Sequence, residues 1–432
     1  MTSSFRLNTD KFLREDYRRP LEKQLAYILR FNPFYINKFR ETLSRNHLIN
    51  FCNLPFTDKK ELLENQIIFP PFGNYLSINS SQISRIHKTS GTTNTPLLLA
   101  LTRNDILNTI KTGSACFRLS GVSEKDIVIH CLNYNMWAGG YTDYQSLEEA
   151  GAGVIPFGVG QTKELITTIL QVKPTAIHCT PSYLRKIETI LIDEFGMNPS
   201  MLGLKLGLFG AEPGLQNPSF RRMIEEKWEM KAMNANYGLS DVLSMFGSEC
   251  RLQSGIHFMG GNVLYPELIE ITSNRNIEIT TGATGELVLS NLCKEAQPLL
   301  RYRTGDIIKI VSADSCSCGE KSFRFEIIGR TDDMIVIRGI NVFVGSIGLL
   351  ISENLDNLTG NYQIHISRND PIDEILILVE VRNYTYAEKA MVKQSLSEIF
   401  RTKLSIKPKV VLCNEGALPV SEGKTKHLFR IL

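Results

Sequence analysis

The tract His87–Ile106, HKTSGTTNTPLLLALTRNDI, sets Thr89, Ser90, Gly91, Thr92 and Thr93 in succession just before an apolar run. Hydroxyls and backbone N–H groups at this density suit an anion, and Gly91 lets the backbone approach it closely. No Gly-Lys-Ser/Thr follows, so the tract is not a Walker loop; a plain turn between strands explains it as well. FGAEPG contributes Gly210, Ala211, Glu212 and Pro213 at the end of a predicted strand, and NANYGLSD contributes Asn236, Tyr237, Gly238, Ser240 and Asp241 at the end of the next. A tyrosine ring there can face a planar base. Asp241 can ligate Mg²⁺, which takes few carboxylates and fills its shell with phosphate oxygens and water. RYRTGD places Asp306 just after a turn glycine, suited to ribose hydroxyls. GRTDDMIVIRG gathers Arg330, Asp332, Asp333, Arg338 and Gly339, and LPVSEGKTKHLFR leaves Lys424 in a glycine-containing loop. Taken singly, each is also a strand-end tyrosine, a hairpin aspartate, a salt-bridged linker or a solvated tail lysine.

Nine cysteines is an odd number. Most stand alone in apolar runs, as Cys131 does in DIVIHCL and Cys179 in TAIHCT, which is the pattern of buried thiols. Cys316 and Cys318 differ, forming a C-x-C on a turn, while ECRLQSGIH brings Cys250 and His257 together. Three thiolates and one imidazole make a closed tetrahedral set typical of structural zinc, although neither pair has a standard finger spacing.

The elements that must position these groups follow from hydrophobic period. From Asp126 onward, short apolar strands alternate with longer amphipathic helices: DIVIHCL, GGYTDYQSLEEAG, GVIPFG, TKELITTILQV, PTAIHCT, PSYLRKIETILIDEFG, LKLGLFG and PSFRRMIEEKWEM. That order predicts a doubly wound, mainly parallel sheet with ligands beyond the carboxyl ends of its strands. After Tyr237 shorter strands predict an antiparallel β subdomain. Beyond GRTDDMIVIRGINVF the pattern is strand pair, helix and strand, a small α+β domain on a hinge. The expected α/β architecture is therefore a large N-terminal domain, 1–331, and a small mobile C-terminal domain, 332–432. Before it, LEKQLAYILRF has helical period, and LPFTDKKELLEN offers Thr57 or Asp58 as an N-cap.

A chain of 432 residues exceeds one ordinary core, and its 43% hydrophobic and 22% charged residues are globular values. The net charge of +3 has no long run of one sign, so nucleic acid and an anionic membrane surface are not expected partners. The N-terminus lacks an apolar signal core, and no apolar stretch is long enough to span a bilayer, which predicts a cytoplasmic protein.

Read in order, SGTT, GAEP, YGLSD, YRTGD, GRTDD and a terminal GK resemble the adenylate-forming superfamily of acyl-CoA synthetases and adenylation domains. SGTT…TRNDI and DDMIVIRGINVF resemble its phenylacetate–CoA ligase family in particular. The resemblance implies that a carboxylate attacks the α-phosphorus of ATP to give an acyl-adenylate and pyrophosphate, and that the thiol of coenzyme A then displaces AMP. It implies that the Thr89–Thr93 loop holds the departing phosphates, that Gly210–Pro213 border the adenine with Tyr237 on its face, and that Asn236, Gly238 and Ser240 complete the nucleotide site. Asp306 would hold the ribose and Arg330 the ribose or phosphate. Asp332 would be the hinge of the small domain, Gly339 would pass pantetheine, and Lys424 would bridge the carboxylate and α-phosphate. NYNMWAGGY occupies the acid-lining segment, so Tyr134, Trp137, Ala138, Gly139 and Tyr141 would border the acyl group, with Trp137 and Tyr141 able to stack on an aryl acid or simply to fill core.

Two departures stand out. Asn94 and Thr95 replace the family's glycine and lysine, and Asp241 replaces a glutamate. The expected activity is AMP-forming ligation of an acid, aromatic and phenylacetate-like, to coenzyme A. Transfer to a carrier-protein thiol or an amine is the alternative, and a degenerate nucleotide binder without catalysis is the other. Relatives are often homodimers, an analogy only.

Overall fold

The computed structural model describes residues 6–7, 12–45, 48–89, 96–212, 215–337, 340–352, 358–367, 375–382, 385–404, 406–419 and 427–431. Among them the chain divides into two compact units. The second comprises Asn217–Met223, Gly305–Ile307 and Ile327–Leu432, and the first holds the remainder.

The alternating elements follow in chain order, and all but Asn217–Met223 belong to the first unit. Helix α1 (Arg103–Leu119) is followed by β1 (Ile127–His130), α2 (Ala138–Ala150), β2 (Gly153–Ile155), α3 (Thr162–Val172), β3 (Ala176–Cys179), α4 (Pro181–Phe195), β4 (Leu206–Gly210), α5 (Pro218–Trp228) and β5 (Lys231–Leu239). These strands pair in parallel in the order β2-β1-β3-β4-β5. The order reverses between β1 and β3, and a crevice opens beyond the carboxyl ends of the strands at such a point. Both sheet faces are apolar, because Val128 and Ala176 of one parity and Ile129 and Ile177 of the other are all fully buried. On one face Cys116 and Phe117 of α1 and Leu147 of α2 pack with Val128, Ala176, Leu208 and Met233.

The antiparallel strands continue this same sheet. They are β6 (Leu243–Glu249), β7 (Ile256–Phe258), β8 (Leu264–Ile269), β9 (Asn276–Ile277), β10 (Thr284–Asn291), β11 (Tyr302–Ser312) and β12 (Arg324–Arg330), giving twelve strands in the order β9-β8-β10-β11-β12-β7-β6-β5-β4-β3-β1-β2. Asp306 lies inside β11 rather than after a turn. The backbone bends within the strand because Gly305 takes φ +76°, a left-handed value open to glycine at little cost. Likewise β5 runs on to Leu239, so Asn236, Tyr237 and Gly238 are strand residues and Ser240–Asp241 make the turn into β6.

Of the two N-cap candidates near residue 58, Asp58 caps the helix Lys59–Ile68 through a reciprocal box with Glu61, at 3.0 and 2.9 Å. Thr57 is engaged elsewhere: its hydroxyl donates to the Leu300 carbonyl at 2.8 Å and meets the Tyr35 hydroxyl at 2.9 Å.

In the second unit an antiparallel ribbon, β13 (Met334–Ile337) and β14 (Ile340–Phe343), leads into α6 (Val344–Ser352). A four-stranded sheet follows from β15 (Leu358–Ile366), β16 (Ile375–Val381), β17 (Lys409–Asn414) and β18 (Leu428–Arg430), in the order β17-β16-β15-β18, with α7 (Tyr386–Leu404). Alternation in ILILVEV buries Ile377 and Val379 against Ile347 and Ile351 of α6 and Phe400 of α7.

Candidate active site

At the β1/β3 reversal stand two buried histidines, His130 and His178, neighbours across the parallel strands. His130 Nε2 lies 2.7 Å from the Gly140 carbonyl, which can only accept, so Nε2 carries the proton. His130 Nδ1 therefore accepts from His178 Nδ1 at 2.8 Å, and His178 Nε2 is left a bare, unpartnered acceptor. The bond to Gly140 ties the end of β1 to the first turn of α2. Residue 140 must be glycine there, since a Cβ would fall 2.0 Å from the Asn133 carbonyl oxygen. The 133–137 loop is thus held close over the helix N-terminus.

Burial pushes His130 down to about 4 from 6.5, and burial together with His130 holds His178 well below the usual range. Both values are depressed, so between about pH 6.5 and 4 the unfolded chain binds protons that the folded chain refuses. Stability should accordingly fall as pH drops through that window, by roughly 3 kcal/mol from His130 alone. Buried Asp143, raised well above its usual value by burial, acts in the opposite sense. Urea unfolding at pH 7 and 4.5 checks this: His130→Gln should lose much of the acid slope, and an unchanged slope would refute the assignment.

The nucleotide candidates gather along the ends of β3, β4 and β5. Gly210 pairs with Asn236, and Ala211 takes a left-handed φ of +65°. The Glu212 carboxylate accepts from the Ser182 N–H at 3.2 Å and hydroxyl at 2.9 Å at the start of α4. Asn236 donates from its amide to Asp143 on α2. Tyr237 is buried, with Phe246 and Phe325 edge-on to it at 5.1 and 5.3 Å, and Gly238 lies against the Ser244 carbonyl. Thr89 is buried at the end of the ribbon Arg85–Lys88/Leu98–Leu101, and its hydroxyl accepts from the Leu97 N–H at 3.1 Å. Ser90, Gly91, Thr92, Thr93, Asn94, Thr95, Pro213, Arg338, Gly339 and Lys424 lie outside the described residues.

Asp241 is 6% exposed. Its Oδ2 accepts from the Tyr302 hydroxyl at 2.7 Å and stands 3.6 Å from Lys59 Nζ, while Oδ1 is buried without a partner. Lys294 Nζ donates to the backbone carbonyls of Asp241 at 2.7 Å and Val242 at 3.3 Å. Burial lowers the Lys294 pKa, opposed by the Asp105 and Asp241 carboxylates. One carboxylate oxygen is thereby fixed by protein, the other has no protein partner, and a carboxylate so held is of the ligand type Mg²⁺ takes.

A narrow cleft lies beside this turn. Ser240, Val242 and Ser244 line it together with Ala138, Thr142, His87, Thr109 and Lys294. It thus brings together one candidate from the nucleotide set, Ser240, and one from the acyl set, Ala138. Tyr134, Trp137, Gly139 and Tyr141 are not among its lining residues. Trp137 lies over Gly139, and Tyr141 is 45% exposed beneath the Arg85 guanidinium at 4.7 Å. His87, Ser244, Lys294, Lys59 and Asp143 were not legible as site residues; no local pattern marks them, His87 standing in the mostly polar stretch SRIHK.

In the second unit Arg330 donates from Nη1 to Asp306 at 2.6 Å and bidentately to Asp332 at 2.8 and 3.1 Å. Burial alone would lower its pKa, but Asp306 and Asp332 outweigh it and raise the value. Arg330, Asp306 and Asp332 therefore form one charged cluster.

The four candidate zinc ligands also converge. Donor atoms of Cys250, His257, Cys316 and Cys318 all lie within 4.8 Å of one another. His257 Nδ1 faces the Ser322 hydroxyl at 3.4 Å and Nε2 faces Cys318 Sγ at 3.7 Å, so a neighbouring side chain orients the ring toward the thiols. No helix among the described residues is long and apolar enough to cross a membrane.

Residues 339–430 match the family model of the AMP-binding enzyme C-terminal domain. Phenylacetate-coenzyme A ligase of Pseudomonas putida is 31% identical across 92% of this chain and 89% of its own length. The enzyme of the same name from Escherichia coli K12 is 31% identical across 88% and 85%. Among solved structures, 2-hydroxyisobutyryl-CoA ligase in the postadenylation state with 2-HIB-AMP shares the fold, with a TM-score of 0.85 at 24% identity over 96% of this chain and 88% of that one. The chain belongs to the phenylacetate–CoA ligase family of adenylate-forming enzymes, the AMP-forming acid–thiol ligases.

Proposed function

We propose that this protein condenses a carboxylic acid with ATP to an acyl-adenylate and pyrophosphate, then passes the acyl group to coenzyme A, with aryl acids of the phenylacetate type as the first substrate class. The observation that carries the reading is the Ser240–Asp241 turn, where an anchored carboxylate with a free oxygen sits beside a cleft lined in part by the acyl-site segment. In-line displacement at phosphorus builds charge on phosphate oxygens, so the protein's task is positioning and electrostatic stabilisation. Asp241 would hold Mg²⁺, which when bound neutralises phosphate charge. The Thr89–Thr93 loop would take the departing phosphates, Gly210–Pro213 and Tyr237 the adenine, and Asp306 with Arg330 the ribose. Lys424 would steady the attacking carboxylate against the α-phosphate. Asp332 would serve as the pivot of the small domain, which spans 332–432, and Gly339 would let pantetheine reach the adenylate. Cys250, His257, Cys316 and Cys318 would hold a structural zinc.

The test is pyrophosphate release with ATP and Mg²⁺ against aryl, aliphatic and amino acids, each with and without coenzyme A. Thioester formed from one acid supports the reading. Acid-dependent exchange without thioester points to a carrier-protein or amine acceptor, and no activity with any acid refutes it. Lys424→Ala should damage adenylation more than thioester formation from supplied acyl-adenylate. Equal loss in the two half-reactions, assayed separately, would remove that role.

A further inference from the structure

The cleft beside Ser240 has unspent hydrogen-bonding capacity. His87 is 4% exposed, and its Nδ1 lies 3.2 Å from the Met136 carbonyl. A carbonyl only accepts, so Nδ1 carries the proton and Nε2 presents a lone pair. Nε2 is buried without a partner, and so is the Ser244 hydroxyl. Two neighbouring donors of the lining are directed elsewhere: the Thr109 hydroxyl donates to the Asp105 carbonyl at 2.8 Å, and Lys294 Nζ donates to two backbone carbonyls. Burial and the neighbouring Arg85 charge both lower the His87 pKa, which keeps the ring neutral and Nε2 an acceptor.

A buried acceptor left unpaired is costly, and a substrate carboxylate, itself only an acceptor, cannot satisfy it. The missing partner is a donor. A hydroxyl can donate to His87 Nε2 or accept from Ser244, whereas the unsubstituted ring or alkyl chain of a simple acid can do neither. We infer that the acid is hydroxylated on its acyl body, and that His87 and Ser244 select for that hydroxyl. This deepens the ligase reading and rests on it.

The experiment compares kcat/KM for matched acids: phenylacetate against its 2-, 3- and 4-hydroxy and α-hydroxy derivatives, and isobutyrate against 2-hydroxyisobutyrate. A hydroxylated acid should exceed its parent by about tenfold or more, because a site built to bond a hydroxyl rejects the analogue lacking it. His87→Leu should bring that ratio to within about threefold of unity, and Ser244→Ala, the gentler change, should lower it. Parents used as well as every hydroxylated partner, or a preference unchanged in both variants, would overturn the inference.

Calorimetric binding of the corresponding non-reactive acyl-sulfamoyl-adenosines separates the two layers of argument. Tighter binding of the hydroxylated analogue by a protein that turns over no acid would refute the ligase activity while supporting the pocket. Turnover with equal binding of both analogues would do the reverse.

Discussion

Asp241→Asn is expected to lower acid-dependent ATP–pyrophosphate exchange about 10²- to 10³-fold, the usual cost of removing one preorganised charge-stabilising group. The substitution is nearly isosteric. The Tyr302 hydroxyl, 2.7 Å from Oδ2, still finds an acceptor in the amide oxygen, and Lys294 bonds the residue-241 backbone carbonyl whatever the side chain. Folding should therefore be little disturbed, and the thermal midpoint should stay within a few degrees. What disappears is the anionic oxygen at the Oδ1 position, buried and unpartnered in the protein alone. The loss should be accompanied by a higher Mg²⁺ concentration for half-maximal rate. Asp241→Glu keeps the charge on a side chain one methylene longer and should stay within about tenfold of the parent, since Mg²⁺ accepts a carboxylate directly or through water. An Asn variant within about threefold of the parent at every Mg²⁺ concentration would show that the ion is held elsewhere.

How much of this site could be read from the sequence depended on whether the determining contacts were local. TKELITTILQV is a helix over Thr162–Val172, and TAIHC a buried strand, because hydrophobic period is a local property. The placement of Asp306 failed at that level: a glycine before an aspartate reads as a turn, yet the strand continues on both sides of the bend at Gly305. Thr57 and Asp58 are equivalent caps in isolation, and Leu300 and Tyr35, remote in sequence, decide between them. The same holds for the cleft. Ala138 and Ser240 were legible from motif order, whereas nothing near His87 announces that its second nitrogen is left unpaired, since that follows from where Met136 and α1 come to lie. The cysteines are the intermediate case: ligand chemistry was readable from residue type, and their convergence required β6, β7 and the Cys316–Cys318 turn to meet.

That convergence carries the largest expected effect on stability. Protein purified without chelator should contain one zinc per chain, and Cys250→Ser or exhaustive chelation should lower the thermal midpoint on the order of 10 °C. Cys250 follows β6, His257 lies in β7, and the C-x-C sits on a turn closed by the Gly319 N–H to the Cys316 carbonyl at 2.9 Å and by Cys316 N–H to Glu320 at 2.8 Å. Two adjacent sheet strands and one hairpin are thus to be cross-linked by an ion bound only when the chain is folded, so its binding energy becomes folding energy. Three thiols packed within 4.8 Å of an imidazole have little other reason to be there, because free buried cysteines behave as small apolar groups and do not require one another. The ligands belong to the antiparallel end of the sheet, and Asp241 is held by Tyr302, Lys59 and Lys294 instead. Adenylation measured well below the lowered midpoint should accordingly persist in Cys250→Ser. Absence of stoichiometric zinc together with an unmoved midpoint would establish four unligated side chains, whereas a lowered midpoint with adenylation abolished even in the cold would mean that the clamp also shapes the β5–β6 turn on which Asp241 stands.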